Sequence, residues 1–198
     1  FWVGKETVAK EYVPLIEALE RMKQQGTKLF YVEGNHDFHL GPVFTQRLNC
    51  QVFPDGGSIK LDGKNIFLAH GDLANPNDTA YRLLRKFLRS SLLHTLMRIA
   101  PRSLTMAIAN QKDYENRKIS EERRNKWSAR EMLLAYAEPI IASGQQAIIT
   151  GHFHQPFHEK IGNGELIALG DWITQFSYAV YEDGVFTLNS YCPPASEG

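Results

Sequence analysis

Three short apolar runs in this chain each end in the same kind of loop. Residues 28–32 run into Gly34-Asn35-His36-Asp37, residues 66–69 into His70-Gly71-Asp72, and residues 146–150 into Gly151-His152-Phe153-His154. Short apolar runs bounded by such loops read as buried strands. Glycine lets the loop that follows turn tightly and approach a ligand closely. In α/β sheets, sites form at the carboxyl ends of strands. Three histidine loops on one sheet edge could therefore converge on one point, and an α/β fold is expected.

The rest of the chain fits that frame. Val8, Tyr12, Leu15, Ile16, Leu19 and Met22 share one helical face over 6–25, with Gly26 placed to end the helix. Pro14 predicts a late start or a kink there. A short helix is expected over 42–48 and a strand over 51–53. A hairpin joins 58–61 to 66–69 through Asp62-Gly63. A second long helix is predicted over 120–144, with Glu121 and Glu122 at its start and Pro139 kinking or breaking its last turn. The tail reads as strands 157–161, 166–169, 173–181 and 185–191, turning at Asn163-Gly164 and Asp183-Gly184.

Residues 75–118 differ in character. Arg82, Arg85, Lys86, Arg89, Arg98, Arg102 and Lys112 occur with no acidic residue among them from 81 to 112. Leu83, Leu84, Phe87, Leu88, Leu92, Leu93, Leu96 and Met97 supply an apolar face, and Pro101 interrupts the run. A helical insertion is expected here. Its apolar stripe can serve as core, or it can hold acyl chains or touch a bilayer while the basic face meets lipid head groups.

A length of 198 residues reads as one domain, 1–198, with the insertion at about 75–118. The 22 basic and 22 acidic residues balance, which excludes a nucleic-acid binder that works by bulk positive charge. Cys50 and Cys192 lie far apart and outside any metal-type spacing, so a reduced intracellular compartment is expected. No run approaches the ~18 apolar residues of a membrane span, and no signal-peptide pattern is visible.

The donor types carry the chemistry. Imidazole, amide oxygen and carboxylate together suit Mn, Fe or Zn more than Ca or Mg. His152 and His154 alternate around Phe153, so in an extended loop both imidazoles would face a metal with Phe153 packed behind. His39, His94 and His158, taken singly, read as structural or surface residues.

Gly34-Asn35-His36-Asp37, His70-Gly71-Asp72 and Gly151-His152-Phe153-His154, in this order, resemble the last three motifs of the calcineurin-like metallophosphoesterases. The resemblance spans about residues 28–155. Four further features are similar to the UDP-2,3-diacylglucosamine pyrophosphatase branch of that family. They are Phe38-His39-Leu40-Gly41 after the first motif, Leu73 and Asp78 after the second, Gln155-Pro156 after the third, and Leu169-Gly170-Asp171-Trp172. The fold implied is a β-sandwich flanked by helices, with a helical insertion.

The resemblance also implies two divalent metal ions, Mn²⁺ with Fe or Zn as alternatives. Asn35, His70 and His152 would ligate one ion and His154 the other. Asn35, His36, Asp78 and His152 would contact substrate, with His36 as general acid and Asp37 orienting it. The reaction implied is in-line attack of water on the nucleotide-side phosphorus of UDP-2,3-diacylglucosamine. Its products are UMP and 2,3-diacylglucosamine 1-phosphate, a step of lipid A biosynthesis in the cytoplasm at the inner-membrane surface. Two other functions stay open: another phosphoesterase of the family, acting on a nucleotide or phosphoprotein, and a non-catalytic interaction scaffold.

Three departures stand out. The pyrophosphatases usually carry Arg where this chain has His36, which is the choice of the wider family. The substrate-binding Ser and Lys expected in the insertion have no clean match, although Arg117 and Lys118 lie nearby. The family's earlier Asp-x-His and Gly-Asp motifs are absent, and a segment like Phe1-Trp2-Val3-Gly4 follows them in relatives. The first strands, with an Asp, a His and the bridging Asp, are therefore expected to be missing from this sequence.

Overall fold

Pro14 decides where the first helix begins. Lys10–Tyr12 form a 3-10 turn, and helix α1 spans Val13–Gln24 with Pro14 in its first turn. Proline is tolerated there because first-turn N–H groups have no partner within the helix. The late start expected from the sequence is what occurs. The computed structural model describes residues 2–3, 8, 10–35, 37–38, 40–91, 93, 95 and 128–192. The chain divides into two compact units, Phe1–Asp55 with Pro76–Asn125, and Gly56–Asn75 with Lys126–Gly198.

The first unit carries strands β1 (Trp2–Val3), β2 (Phe30–Val32), β3 (Asp37–Phe38) and β4 (Gln51–Phe53). β1 pairs with β3 and β2 with β4, both parallel. The short helix expected over 42–48 is present, wound as a π-turn over Val43–Arg47. Ile16, Leu40, Val43, Phe44, Leu48 and Cys50 form the core, with Leu19 and Tyr31 against it. Arg47 donates to both carboxylate oxygens of Glu20 at 2.6 and 2.7 Å, tying the π-turn to α1.

Of the expected insertion, the described part is helix α2 (Thr79–Leu88), capped where the Asp78 carboxylate accepts from the Tyr81 N–H at 3.0 Å. Its polarity is inverted. Arg85 is 6% exposed, while Leu83 and Phe87 are 72% and 58% exposed. Residues 96–127 lie outside the described ones, and with them the Pro101 break, Arg117, Lys118 and the expected helix start at Glu121-Glu122.

The second unit contains β5 (Gly57–Leu61), β6 (Lys64–Ala69), helix α3 (Ala129–Ala142), β7 (Ala147–Thr150), β8 (Phe157–Ile161), β9 (Gly164–Ala168), β10 (Ser177–Glu182) and β11 (Val185–Ser190). Five strands form one sheet in the order β5-β6-β7-β9-β8, and β10–β11 form a separate hairpin. β6, β7 and β9 are parallel. Strand alternation sorts their side chains into two layers. Phe67, Ile148, Leu166 and Ala168 meet Leu133, Ala137 and Ile141 of α3. Ile66, Ala147 and Ile167 meet Phe186 and Leu188 of the hairpin. The unit is thus a mixed α/β sandwich, with a helix on one face of the sheet and a β-hairpin on the other. No helix among the described residues is long and apolar enough to cross a membrane.

Three expectations are corrected here. Pro139 does not break α3, which runs on to Ala142. Proline removes one helical hydrogen bond, and the burial of Leu133, Ala137 and Ile141 holds the helix together around it. The turn expected at Asn163-Gly164 is Gly162-Asn163, because Gly164 already pairs with Ile161. The strand expected from 173 begins at Ser177. The Asp171 carboxylate takes the N–H groups of Ile173, Thr174 and Gln175, which are then lost to any sheet. As expected, Asp62-Gly63 and Asp183-Gly184 are two-residue hairpin turns, with positive φ at both residues of each.

Leu133 is fully buried between α3 and the sheet. Leu133→Ala is expected to destabilise the protein by about 2–5 kcal/mol, measured as a lowered urea midpoint with unchanged slope.

Candidate functional site

In the second unit, the parallel register of β6 and β7 sets Ala69 opposite Thr150. The next residues, His70 and Gly151, therefore leave the sheet side by side, and the Gly151 N–H donates to the His70 carbonyl at 3.0 Å. Gly71 follows at φ +103°, and a Cβ there would lie 3.1 Å from the Gly151 carbonyl oxygen. Only glycine combines that backbone angle with so close an approach.

His152 has φ +69°. The Phe153 N–H reaches back over it to the Gly151 carbonyl at 2.8 Å, closing a γ-turn. A γ-turn with positive φ is rare and strained. It aims the His152 ring at His70, with His152 Nδ1 3.2 Å from His70 Nε2. The Phe153 ring sits edge-on to His152 and packs against the core beneath α3.

The two ring nitrogens stand at hydrogen-bond distance, a separation that two ligands of one divalent cation also show. Two imidazole nitrogens at about 2.0–2.1 Å from one ion, at tetrahedral or square angles, stand about 2.8–3.4 Å apart. The observed separation of 3.2 Å lies in that range. Two imidazoles are half of a four-coordinate shell. Among the described residues, no group of three or more His, Cys, Asp or Glu gathers to hold a metal ion.

His154 does not follow the alternation expected of it. Its φ is +54°, so 152–154 is not the extended loop that the alternation assumed. His154 Nδ1 lies 3.9 Å from Asp171 Oδ2. The Asp171 carboxyl is held far below the usual range by the backbone N–H groups of Thr174 and Ile173. Sequence reasoning gave Asp171 no role. Its signal was the Gly-Asp pair after a strand, with hydroxyl and amide side chains at 174 and 175.

The remaining candidates belong to the first unit. Asn35 is half-buried in the bend after β2. His36 and His39 lie outside the described residues, so the expected orienting of His36 by Asp37 lies outside them too. Asp37 accepts the Tyr31 hydroxyl at 2.8 Å. Asp78 is the cap of α2. Glu33, which sequence reasoning passed over, is buried; it accepts from the Leu40 N–H at 3.0 Å and pairs with Arg89 at 2.5 Å. A carboxylate at the end of an apolar run was the available signal. Burial pushes the Cys50 thiol pKa up.

No family model matches the chain. Curated relatives do. The chain is similar over most of its length to UDP-2,3-diacylglucosamine hydrolases. That of Pseudomonas entomophila is 28% identical over 181 residues, 86% of this chain and 72% of that protein. That of Aeromonas salmonicida is 29% identical over 204 residues, 98% of this chain and 78% of that protein. Among solved structures, an archaeal phosphodiesterase gives a TM-score of 0.45 at 13% identity, over 89% of this chain and 75% of that chain. That likeness bears on neither fold nor chemistry.

Tyr31 offers a pH-dependent check on the first unit. Burial and the adjacent Asp37 charge push its hydroxyl pKa far above the usual value. A raised tyrosine pKa favours the neutral form in the folded state. The stabilisation is complete below the unfolded value near 10 and is lost as pH rises towards the folded value. Absorbance titration at 295 nm is expected to show Tyr31 un-ionised through pH 11 in folded protein, and Tyr31→Phe to leave that titration amplitude unchanged. The same substitution is expected to cost about 1–3 kcal/mol of stability at pH 7 by stranding Asp37, read by urea denaturation.

Proposed function

We propose that this chain is a divalent-metal-dependent hydrolase that cleaves the pyrophosphate of UDP-2,3-diacylglucosamine, releasing UMP and 2,3-diacylglucosamine 1-phosphate in lipid A biosynthesis. The observation that carries this reading is the His70–His152 pair, set at cation-binding separation by two adjacent parallel strands. Similarity to hydrolases of that name over most of the chain supports the substrate. The reading takes 1–198 as one functional domain, with 75–118 as its insertion.

In this reading His70, His152 and Asn35 hold one ion and His154 a second, Mn²⁺ in preference to Fe or Zn. When bound, the ions lower the pKa of water and neutralise charge on the phosphoryl oxygens. Asn35, His36 and His152 contact the phosphates, and Asp78 the sugar or nucleotide. His36 delivers a proton to the leaving oxygen, and Asp37 keeps its ring in place.

Helix α2 supports the lipid part of the substrate. Leu83, Leu84 and Phe87 are exposed beside Lys86. An apolar stripe flanked by cations suits acyl chains and an anionic membrane surface. The proposed location is the cytoplasmic face of the inner membrane, with peripheral attachment.

The test is UMP release from UDP-2,3-diacylglucosamine in detergent with Mn²⁺. His70→Ala and His152→Ala are each expected to lower kcat/KM by more than about 100-fold, beyond the loss typical of an outer hydrogen-bond partner. Hydrolysis of simple nucleotides or phosphoproteins with no UMP from the lipid substrate would overturn the substrate assignment. Unchanged activity in both variants would overturn the enzyme reading.

A further inference from the structure

The loop bearing His154 is gripped from outside its own strand. Gln175 Nε2 donates to the His154 carbonyl at 3.1 Å, while Gln175 Oε1 accepts from the Asp171 N–H at 3.2 Å. One partner is an acceptor and the other a donor, so the two contacts together fix which way the amide faces.

Gln175 is itself held in place. Asp171 Oδ1 accepts from the N–H groups of Ile173, Thr174 and Gln175 at 2.8, 2.5 and 3.2 Å. The Thr174 hydroxyl bonds the same carboxylate. The Gly170 N–H donates to the Ser177 hydroxyl at 2.8 Å. A Cβ on residue 170 would fall well inside contact distance of Gln175 Oε1 and Ser177 Oγ, so the absence of a side chain there is what lets the amide lie across the turn.

His152 and His154 both have positive φ, a backbone state that L-residues rarely adopt without support. We propose that Gln175, seated by the Asp171 turn, is a positioning residue that holds the 152–154 backbone in the conformation required for cation binding. This rests on the metal-dependent reading above and goes beyond it by assigning a role to residues outside the ligand set. Only a side chain with a donor and an acceptor on one planar group makes both contacts. Glutamate keeps the acceptor and faces the His154 carbonyl with an oxygen. Methionine keeps the volume and makes neither contact.

The experiment is calorimetric titration of the full chain with Mn²⁺, paired with thermal melts, for wild type, Gln175→Glu, Gln175→Met and Gly170→Ala. All three variants are expected to bind Mn²⁺ about 10-fold or more weakly, while melting within a few degrees of wild type. Gly170→Ala displaces the same amide, so its loss should not add to that of Gln175→Met in the double variant. If Gln175→Met does not fold, Gly170→Ala decides by the same readout. Wild-type affinity in the folded variants would overturn the positioning role and leave the hydrolase reading standing. Absence of Mn²⁺ binding by the wild-type chain would overturn both.

Discussion

Ala69 and Thr150 face each other across the parallel strands β6 and β7, and this register decides which side chains emerge together at the carboxyl edge of the sheet. Burial on both faces fixes it. Ile66 and Ala147 enter one core layer, Phe67 and Ile148 the other. A slip of one residue would exchange the two sets and separate His70 from Gly151. Packing of ordinary apolar side chains is therefore what brings two imidazole nitrogens to 3.2 Å.

The register delivers the chain to the site, and the local backbone aims it. His152 occupies a γ-turn whose positive φ costs on the order of 1–3 kcal/mol. Such strain persists only where neighbours leave no alternative. On one side the Gly151 N–H is bonded to the His70 carbonyl. On the other, the His154 carbonyl is held by Gln175. The loop is thus clamped at both ends, with the strained residue between the clamps.

This division explains what could be read in advance. The ends of β2, β6 and β7 were legible because apolar runs stopping at glycine follow from burial and backbone sterics, which act locally. The turns at Asp62-Gly63 and Asp183-Gly184 were legible for the same reason. The backbone of 152–154 was not, because the alternation rule assumes extended backbone and this loop is curled. The extra strand expected over 173–176 failed because one carboxylate, Asp171, captured three N–H groups. Nothing in the hydrophobic pattern of 173–181 registers that competition. Glu33 escaped notice because its partner Arg89 lies far along the chain.

Helix α2 shows the same contest between charge and hydrophobicity. Arg85 and Arg89, four residues apart, project from one face. Arg85 bonds the Asp55 carboxylate and the Pro54 carbonyl, and Arg89 bonds buried Glu33. These contacts dock the helix by its arginines, which turns Leu83, Leu84 and Phe87 outward. Buried ion pairs seldom stabilise more than well-packed apolar side chains of similar size. Docking by its arginines leaves the helix with three large apolar side chains on the surface.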